Sequence, residues 1–195
     1  MDKDKITVVI VDDEPIVRMD LREMLEARGY EVLAEAKDGF SAISVCKEMH
    51  PDLVFMDIKM PILDGISASK ILLEEGFAET VILLTAYSMK EYVDRAVESG
   101  IGGYLVKPID ANVLVPAIEM ARAKSRETRD LKKELDKMKK RLDDRIVLEQ
   151  AKGWLMEKRG ISEEDAYIMI RKISQTKNLS MRQVSEYILY SKKQS

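Results

Sequence analysis

Three carboxylates in the first third of the sequence are placed where they could share one cation. Asp12 and Asp13 follow an apolar run at residues 6–11, and Asp57 follows another at residues 53–56. Clustered carboxylates repel one another unless a hard cation joins them, and Mg²⁺ prefers oxygen ligands while leaving room for a phosphate. The pattern therefore predicts a Mg²⁺ site, although any one of the three could serve only as a helix cap.

Two further side chains extend this chemistry to phosphoryl transfer. Thr85 and Lys107 each follow a later apolar run, and a hydroxyl with a fixed positive charge suits phosphoryl oxygens. Asp57 is the candidate nucleophile, because a carboxylate accepts a phosphoryl group as an acyl phosphate while Mg²⁺ and Lys107 neutralise the transferred charge.

Five short apolar runs alternate with helical patterns along the first 121 residues, and they predict the elements that position these side chains. The runs cover residues 6–11, 30–34, 53–56, 81–84 and 103–106. The alternation predicts an α/β fold with a doubly wound, five-stranded parallel sheet, whose fourth helix covers residues 90–98. Because the carboxyl ends of parallel strands share one edge, the candidate residues should converge there.

A long stretch without glycine, residues 112–151, predicts one continuous helix. Within it, four apolar residues repeat at the spacing of a heptad seam: Leu131, Leu135, Met138 and Leu142. A coiled-coil dimer is the favoured interpretation, and an amphipathic helix folded against its own domain is the alternative. The seam is short, so the flanking parts of the chain have to assist pairing.

Two shorter helices are predicted next, because Ser162 precedes Asp165 and Ser180 precedes Gln183 by three residues, as in N-terminal capping boxes. With the long helix they predict a small all-α, three-helix bundle. Its predicted core is Ile146, Leu155, Ala166, Ile170, Ile173, Val184 and Ile188.

The charge differs between the two parts of the chain. Residues 1–121 carry 12 Lys and Arg against 23 Asp and Glu, whereas residues 122–195 carry 20 against 12. A basic part can attract a polyanion, or it can simply be a solvated helical surface. A single cysteine and a single histidine exclude a zinc cluster or a nucleophilic triad. No apolar run reaches 18 residues and the start is charged, which predicts a cytoplasmic protein that does not contact the membrane.

Five separated motifs resemble the receiver domain of bacterial response regulators, over residues 5 to about 121. They are Asp12-Asp13, Asp57, Thr85-Ala86, Tyr104 and Lys107-Pro108. The resemblance implies a flavodoxin-like fold, a sensor histidine kinase as phosphoryl donor and a cis peptide bond before Pro108. It also implies that Asp13, Asp57 and the backbone carbonyl of Lys59 hold Mg²⁺, with Asp12 assisting. Thr85 and Tyr104 resemble the family's switch pair, although Tyr104 could simply pack at a sheet edge.

Residues 145–190 resemble the ANTAR module of antitermination regulators, a three-helix RNA binder. The most specific part is the segment 150–153, in which Gly153 costs ~1 kcal/mol of helix stability relative to alanine and so indicates close approach by a backbone or a ligand. Tyr167 could stack on an unpaired base or belong to the core. The candidate RNA contacts are Lys152, Gly153, Tyr167, Arg171, Arg182 and Gln183.

The combined resemblance implies a receiver at residues 1–121, a coiled-coil linker at 122–145 and an ANTAR domain at 146–195. The whole chain resembles the antiterminators of ethanolamine-utilisation operons. We expect phosphorylation of Asp57 to promote a homodimer that binds paired hairpins in mRNA leaders and prevents transcription termination, with contact to RNA polymerase left open. Beyond its own phosphorylation and dephosphorylation we expect no enzyme activity. The alternatives are a phosphorylation-controlled DNA-binding transcription factor and a protein-interaction output.

Overall fold

A five-stranded parallel sheet in the order β2-β1-β3-β4-β5 organises the first compact unit of the chain, Met1–Asp130. The structure, a computed structural model, describes residues 5–86 and 100–192. The strands are β1 (Thr7–Val11), β2 (Glu31–Ala36), β3 (Leu53–Asp57), β4 (Thr80–Thr85) and β5 (Gly103–Val106). The predicted α/β class and parallel sheet are confirmed, and the strands start or end within two residues of the predicted runs.

The three central strands are buried on both faces, which explains why their sequences are continuously apolar. Alternate residues divide between two cores because successive side chains of a strand point to opposite faces. Val54 and Met56 join one core, and Leu53 and Phe55 join the other.

Helices cover both faces of the sheet. They are α1 (Pro15–Glu26), α2 (Gly39–Met49) and α3 (Gly65–Glu74), followed by the long helix α4 (Ala111–Arg159). The carboxylates of Asp38 and Asp64 cap α2 and α3 by accepting hydrogen bonds from backbone N–H groups of the first turn. The helix predicted at residues 90–98 lies outside the described residues.

Helix α4 runs eight residues beyond the end predicted from sequence, as one helix of 49 residues. The boundary between the two compact units, Asp130 and Leu131, falls within it. The predicted seam residues are exposed in the single chain: Leu131, Leu135, Met138 and Leu142.

The second compact unit, Leu131–Ser195, contains the end of α4 together with α5 (Glu163–Lys177) and α6 (Met181–Lys192). Both predicted serine caps are present, since Ser162 accepts from the Asp165 N–H and Ser180 accepts from the Gln183 N–H. At Ser180 the Gln183 side chain also accepts from the Ser180 N–H, which completes the capping box, whereas the Asp165 carboxylate accepts from the Ser162 hydroxyl. The buried core is Ala151, Leu155, Ala166, Ile170 and Val184.

Two predicted members of this core are wrong. Ile146 and Ile173 are 46% and 38% exposed. Residues 147, 148, 151, 154 and 155 of α4 turn toward the bundle instead, because the buried face is rotated away from the coiled-coil seam. Among the helices that the structure describes, none is long and apolar enough to cross a bilayer.

Candidate functional site

The ends of four adjacent strands bring the predicted phosphoryl-transfer residues together. Asp12 follows β1, Asp57 ends β3, Thr85 ends β4 and Lys107 follows β5. The Nζ atom of Lys107 lies 2.6 Å from Asp12 Oδ2 and 2.6 Å from Asp57 Oδ1. The convergence that the alternation predicted is therefore present.

Burial sets the charge state of this pocket. Asp57 is almost fully buried, and the loss of solvent raises the pKa of its carboxyl group, while Lys107 and the Lys59 backbone N–H act in the opposite direction. Burial lowers the pKa of Lys107, but the two carboxylates outweigh it, so that the pKa of Lys107 is raised. Lys107 thus stays protonated and keeps one cation between two acids.

A glycine packs directly against the backbone of Asp57. Gly65 is the first residue of α3, and its N–H donates to the carbonyl of Ile58 at 3.0 Å. A Cβ atom at Gly65 would overlap the carbonyl oxygen of Asp57. Sequence reasoning missed this residue, because only the fold brings the start of α3 against the end of β3.

The donor set for a cation lies at the end of β1. Carboxylate oxygens of Asp12, Asp13 and Glu14 lie within 4.8 Å of one another, and Asp13 and Glu14 are exposed. The buried Asp12 Oδ2 lies 2.6 Å from Lys107 Nζ, so a cation bound at this oxygen would share it with the ammonium group. All-oxygen donors of this kind fit Mg²⁺. Glu14 was not predicted, although its place beside Asp13 was visible in the sequence.

The predicted switch residues lie on neighbouring strands. Leu83 pairs with Tyr104 and Thr85 pairs with Val106 across β4 and β5. Paired residues of parallel strands face the same side, so Thr85 and Tyr104 share one face of the sheet. Thr85 is nearly buried, whereas Tyr104 is 46% exposed. The expected cis peptide bond between Lys107 and Pro108 is present.

The predicted RNA contacts differ in their surroundings. Lys152 is buried, and its ammonium lies 2.8 Å from Glu149 and 2.7 Å from Glu163 at the start of α5. Gly153 is exposed beside it. Tyr167 is 39% exposed and Arg171 is exposed on α5. The core alternative for Tyr167 is therefore wrong, whereas Lys152 serves first to join α4 to α5.

Arg182 and Gln183 line a groove of about 690 Å³ between α4 and the start of α6. The guanidinium of Arg182 is 2.7 Å from Asp144, 3.3 Å from Asp143 and 2.8 Å from Glu186. The other lining residues include two cations and two apolar side chains that sequence reasoning did not select: Lys140, Arg145, Leu148 and Met181.

Two aromatic side chains on α6 were also missed. Tyr187 and Tyr190 are more exposed than Tyr167, at 67% and 61%. They offer ring faces of the kind that stack on unpaired bases. Their exposure could not be predicted from the sequence, because it depends on which face of α6 packs against the core.

Comparison with known families divides the chain in the same order. A model of the response regulator receiver domain matches residues 8–119, and a model of the ANTAR domain matches residues 136–189. The transcriptional regulatory protein PdtaR of Mycobacterium tuberculosis is 41% identical over 182 residues, which are 93% of this chain and 88% of PdtaR. The similarity therefore includes both parts of the chain.

Other relatives match the first part. The chemotaxis protein CheY of Bacillus subtilis is 38% identical over 111 residues, 57% of this chain and 92% of CheY. The receiver domain of a modulated diguanylate cyclase from Desulfovibrio desulfuricans superposes with a TM-score of 0.59 at 32% identity, covering 64% of this chain and 99% of its own. A chain of the Borrelia burgdorferi CheX-CheY-BeF3-Mg²⁺ complex superposes with a TM-score of 0.54 at 28% identity, and the match covers 57% of this chain and 85% of that chain.

Proposed function

The chain belongs to the response regulators, with a receiver domain followed by an ANTAR domain, and from this premise we propose that it is a phosphorylation-controlled transcription antiterminator. A sensor histidine kinase donates a phosphoryl group to Asp57. Two phosphorylated chains then pair and bind two hairpins of an mRNA leader, so that a competing terminator cannot form.

The observation that carries the first step is the position of Lys107 between two buried acids. Its Nζ atom is 2.6 Å from Asp57 Oδ1 and 2.6 Å from Asp12 Oδ2, and both carboxylates stabilise the protonated amine. A phosphoryl group on Asp57 brings further negative charge to this edge of the sheet. Lys107 can turn from the carboxylate to the phosphoryl oxygens without leaving the pocket, which stabilises the transfer electrostatically.

Mg²⁺, when bound, supplies the positive charge that the pocket lacks during transfer. Asp12, Asp13 and Asp57 and the backbone carbonyl of Lys59 would hold it. Two observations support this assignment: carboxylate oxygens of Asp12 and Asp13 lie within 4.8 Å of one another, and the similar CheX-CheY complex contains Mg²⁺.

The signal leaves the pocket through Thr85 and Tyr104 in this proposal. The hydroxyl of Thr85 moves toward the phosphoryl group, and the ring of Tyr104 turns into the space that the hydroxyl leaves. The shared sheet face and the present exposure of Tyr104 support this movement. Phosphorylation then needs to favour the dimer-competent state by only a few kcal/mol.

The output step rests on the ANTAR domain and on its charge. Arg171 and Arg182 would meet phosphates, Gln183 a base edge, Tyr167 a base face, and Gly153 would allow close approach of the RNA or of another helix. Pairing through the exposed seam of α4 joins two modules, and linking two sites raises affinity without new contacts.

Binding of a two-hairpin leader RNA, with and without beryllofluoride and Mg²⁺, tests the proposal. We expect tighter binding in the presence of the phosphoryl mimic, loss of that effect in Asp57→Ala, and weaker binding of an RNA with one hairpin. The promoter duplex of the same operon is the matched competitor. Preference for the duplex would favour a DNA-binding factor, and indifference to both nucleic acids at low salt would favour a protein-interaction output.

A further inference from the structure

The exposed apolar stripe of α4 continues past the predicted coiled-coil seam. After Leu142, three more exposed apolar or small residues follow on the same helix: Ile146, Gly153 and Met156. At 3.6 residues per turn, the stripe from Leu131 to Met156 occupies an arc of about 80°. The seam and these three residues therefore form one surface within the second compact unit.

This surface lies on the side of α4 that faces away from the bundle. Leu148, Ala151 and Leu155 are the residues that pack against α5 and α6. Their mean direction is roughly 140° from the centre of the stripe for an ideal helix. A partner can therefore occupy the stripe while the three-helix bundle stays intact.

Gly153 lies on the stripe without an explanation from its own chain. Beyond the adjacent turns of its own helix, no heavy atom of the described residues lies within 4 Å of the position of a Cβ atom at Gly153. Glycine weakens a helix interior relative to alanine, so packing inside the monomer does not account for it. A helix of another chain that crosses close to this point would.

The length of the stripe indicates which partner it fits. Residues 131–142 span less than two heptads, which is short for a stable coiled coil. Residues 131–156 are as long as about 3.7 heptads, and apolar seams of three to four heptads are typical of coiled coils. With Glu149 included, positions along the stripe recur at spacings of 4, 3, 4, 4, 3, 4 and 3 residues, which is a heptad pattern with one additional four-residue step between Leu142 and Ile146. A stripe of this kind suits a second copy of itself.

We propose that a second copy of the chain packs along α4 from Leu131 to Met156, so that the dimer interface continues past the predicted seam along the part of α4 that packs against α5 and α6. The inference rests on the proposed dimer and extends it, with Gly153 at the closest approach of the two helices. Dimerisation then orients the two RNA-binding modules directly instead of only tethering them.

One charged residue interrupts the surface. Glu149 lies on the stripe between Ile146 and Gly153, and its carboxylate is 2.8 Å from Lys152 Nζ. Lys152 is held in turn by Glu163. The lysine offsets the repulsion between two copies of Glu149, and a single polar position in an apolar seam fixes its register.

Cysteine cross-linking of the full chain tests how far the interface extends. Cys46 is replaced by alanine, and single cysteines are placed on the seam (Leu135→Cys), at the proposed end of the interface (Met156→Cys) and at an exposed position off the stripe (Gln150→Cys). With beryllofluoride, Mg²⁺ and a mild oxidant, Met156→Cys should form disulfide-linked dimers within about threefold of the rate of Leu135→Cys, and at least about tenfold faster than Gln150→Cys.

The outcomes separate this inference from the proposed function. Rapid cross-linking at Leu135→Cys, with Met156→Cys as slow as Gln150→Cys, would overturn the extension and leave the coiled coil. No cross-linking at either position, with a monomer in sedimentation, would overturn the dimer itself.

Substitution of Gly153 tests its assigned role. Gly153→Arg fits the monomer and does not remove a phosphate-binding charge, but it places two guanidinium groups at the helix crossing. The dimer dissociation constant should rise at least about tenfold, whereas Gln150→Arg should change it less than about twofold. An unchanged dimer with altered binding of a single hairpin would assign Gly153 to RNA and overturn the inference.

Discussion

Lys107 Nζ lies 2.6 Å from Oδ1 of Asp57, the proposed phosphoacceptor. Asp12, completely buried, contacts the same nitrogen at the same distance. One cation therefore serves two acids that have little access to water, and the balance of charge depends on Lys107. A bound cation would compete with Lys107 for the two carboxylates, and a bound anion would compete with the carboxylates for Lys107.

Lys107→Ala should destabilise the receiver domain by about 2 kcal/mol in the absence of divalent cations, because it leaves two buried carboxylates without their cation. Addition of Mg²⁺ should stabilise this variant more than it stabilises the wild type, since the metal replaces part of the lost charge. Urea denaturation with EDTA and with Mg²⁺ measures both effects.

Lys70→Ala is the matched control, because Lys70 forms an exposed ion pair with Glu74 on α3. Its effect should stay within about 0.5 kcal/mol and should not depend on Mg²⁺. Equal stabilisation of Lys107→Ala and the wild type by Mg²⁺ would contradict the assignment of the acidic residues as metal ligands.

Asp57→Asn should stabilise the protein at neutral pH. The pKa of Asp57 is raised in the folded state, mainly by burial, so the folded protein binds more protons than the unfolded chain between the ordinary and the raised pKa. Stability therefore falls as pH rises through this range, and the amide avoids that loss. The difference between the variant and the wild type should be largest above the raised pKa and should vanish below about pH 3.9.

Denaturation curves in EDTA over this pH range test the prediction, with Asp20→Asn on the exposed surface of α1 as control. If the stabilisation by Asp57→Asn were the same at all pH values, desolvation of the charged carboxylate could not be its cause.

The sequence was sufficient to predict the strands and the edge at which the pocket forms. Continuous apolar runs mark strands buried on both faces, and the residue after each run must lie at the sheet edge. Asp12, Asp57 and Lys107 were found in this way. Gly65 was not, because its role depends on the distance between two backbones that are joined by a loop, which no local pattern encodes.

The output domain was less predictable for a related reason. Helical periodicity locates a buried face only approximately. The observed buried face of α4 differs from the predicted one by part of a turn, so that Ile146 is exposed and Ala151 is buried. Ion pairs between helices, such as Lys152 with Glu163, depend on the same rotation. The candidate RNA contacts were selected by residue type, and they therefore included Lys152, whose ammonium group is already paired with two glutamates.

Gly65→Ala should destabilise the receiver domain by about 3 kcal/mol or more, since the added Cβ atom must displace the Asp57 backbone or the start of α3. The same displacement should slow phosphorylation by a small-molecule phosphodonor. Gly103→Ala is the control, because its Cβ atom would make an ordinary contact of 3.7 Å with Ala121. Similar losses in the two variants would show that the effect is not specific to Asp57.

Removal of the acids around Arg182 should strengthen RNA binding. Asp143 and Asp144 on α4 and Glu186 on α6 hold its guanidinium and raise its pKa, Asp144 most strongly, so a phosphate has to displace them. The double variant Asp143→Asn/Asp144→Asn should bind leader RNA several-fold more tightly, and Arg182→Ala should reduce the slope of log affinity against log salt by roughly 1.

Salt titrations of RNA binding measure both effects, and Asp130→Asn/Asp136→Asn makes the same change of charge at two exposed positions of α4 outside the groove. If this control strengthened binding as much as the Asp143 and Asp144 variant, the gain would come from net charge alone. A larger gain at Asp143 and Asp144 that disappears when Arg182→Ala is added would show that the acids act through Arg182, because independent sites would add.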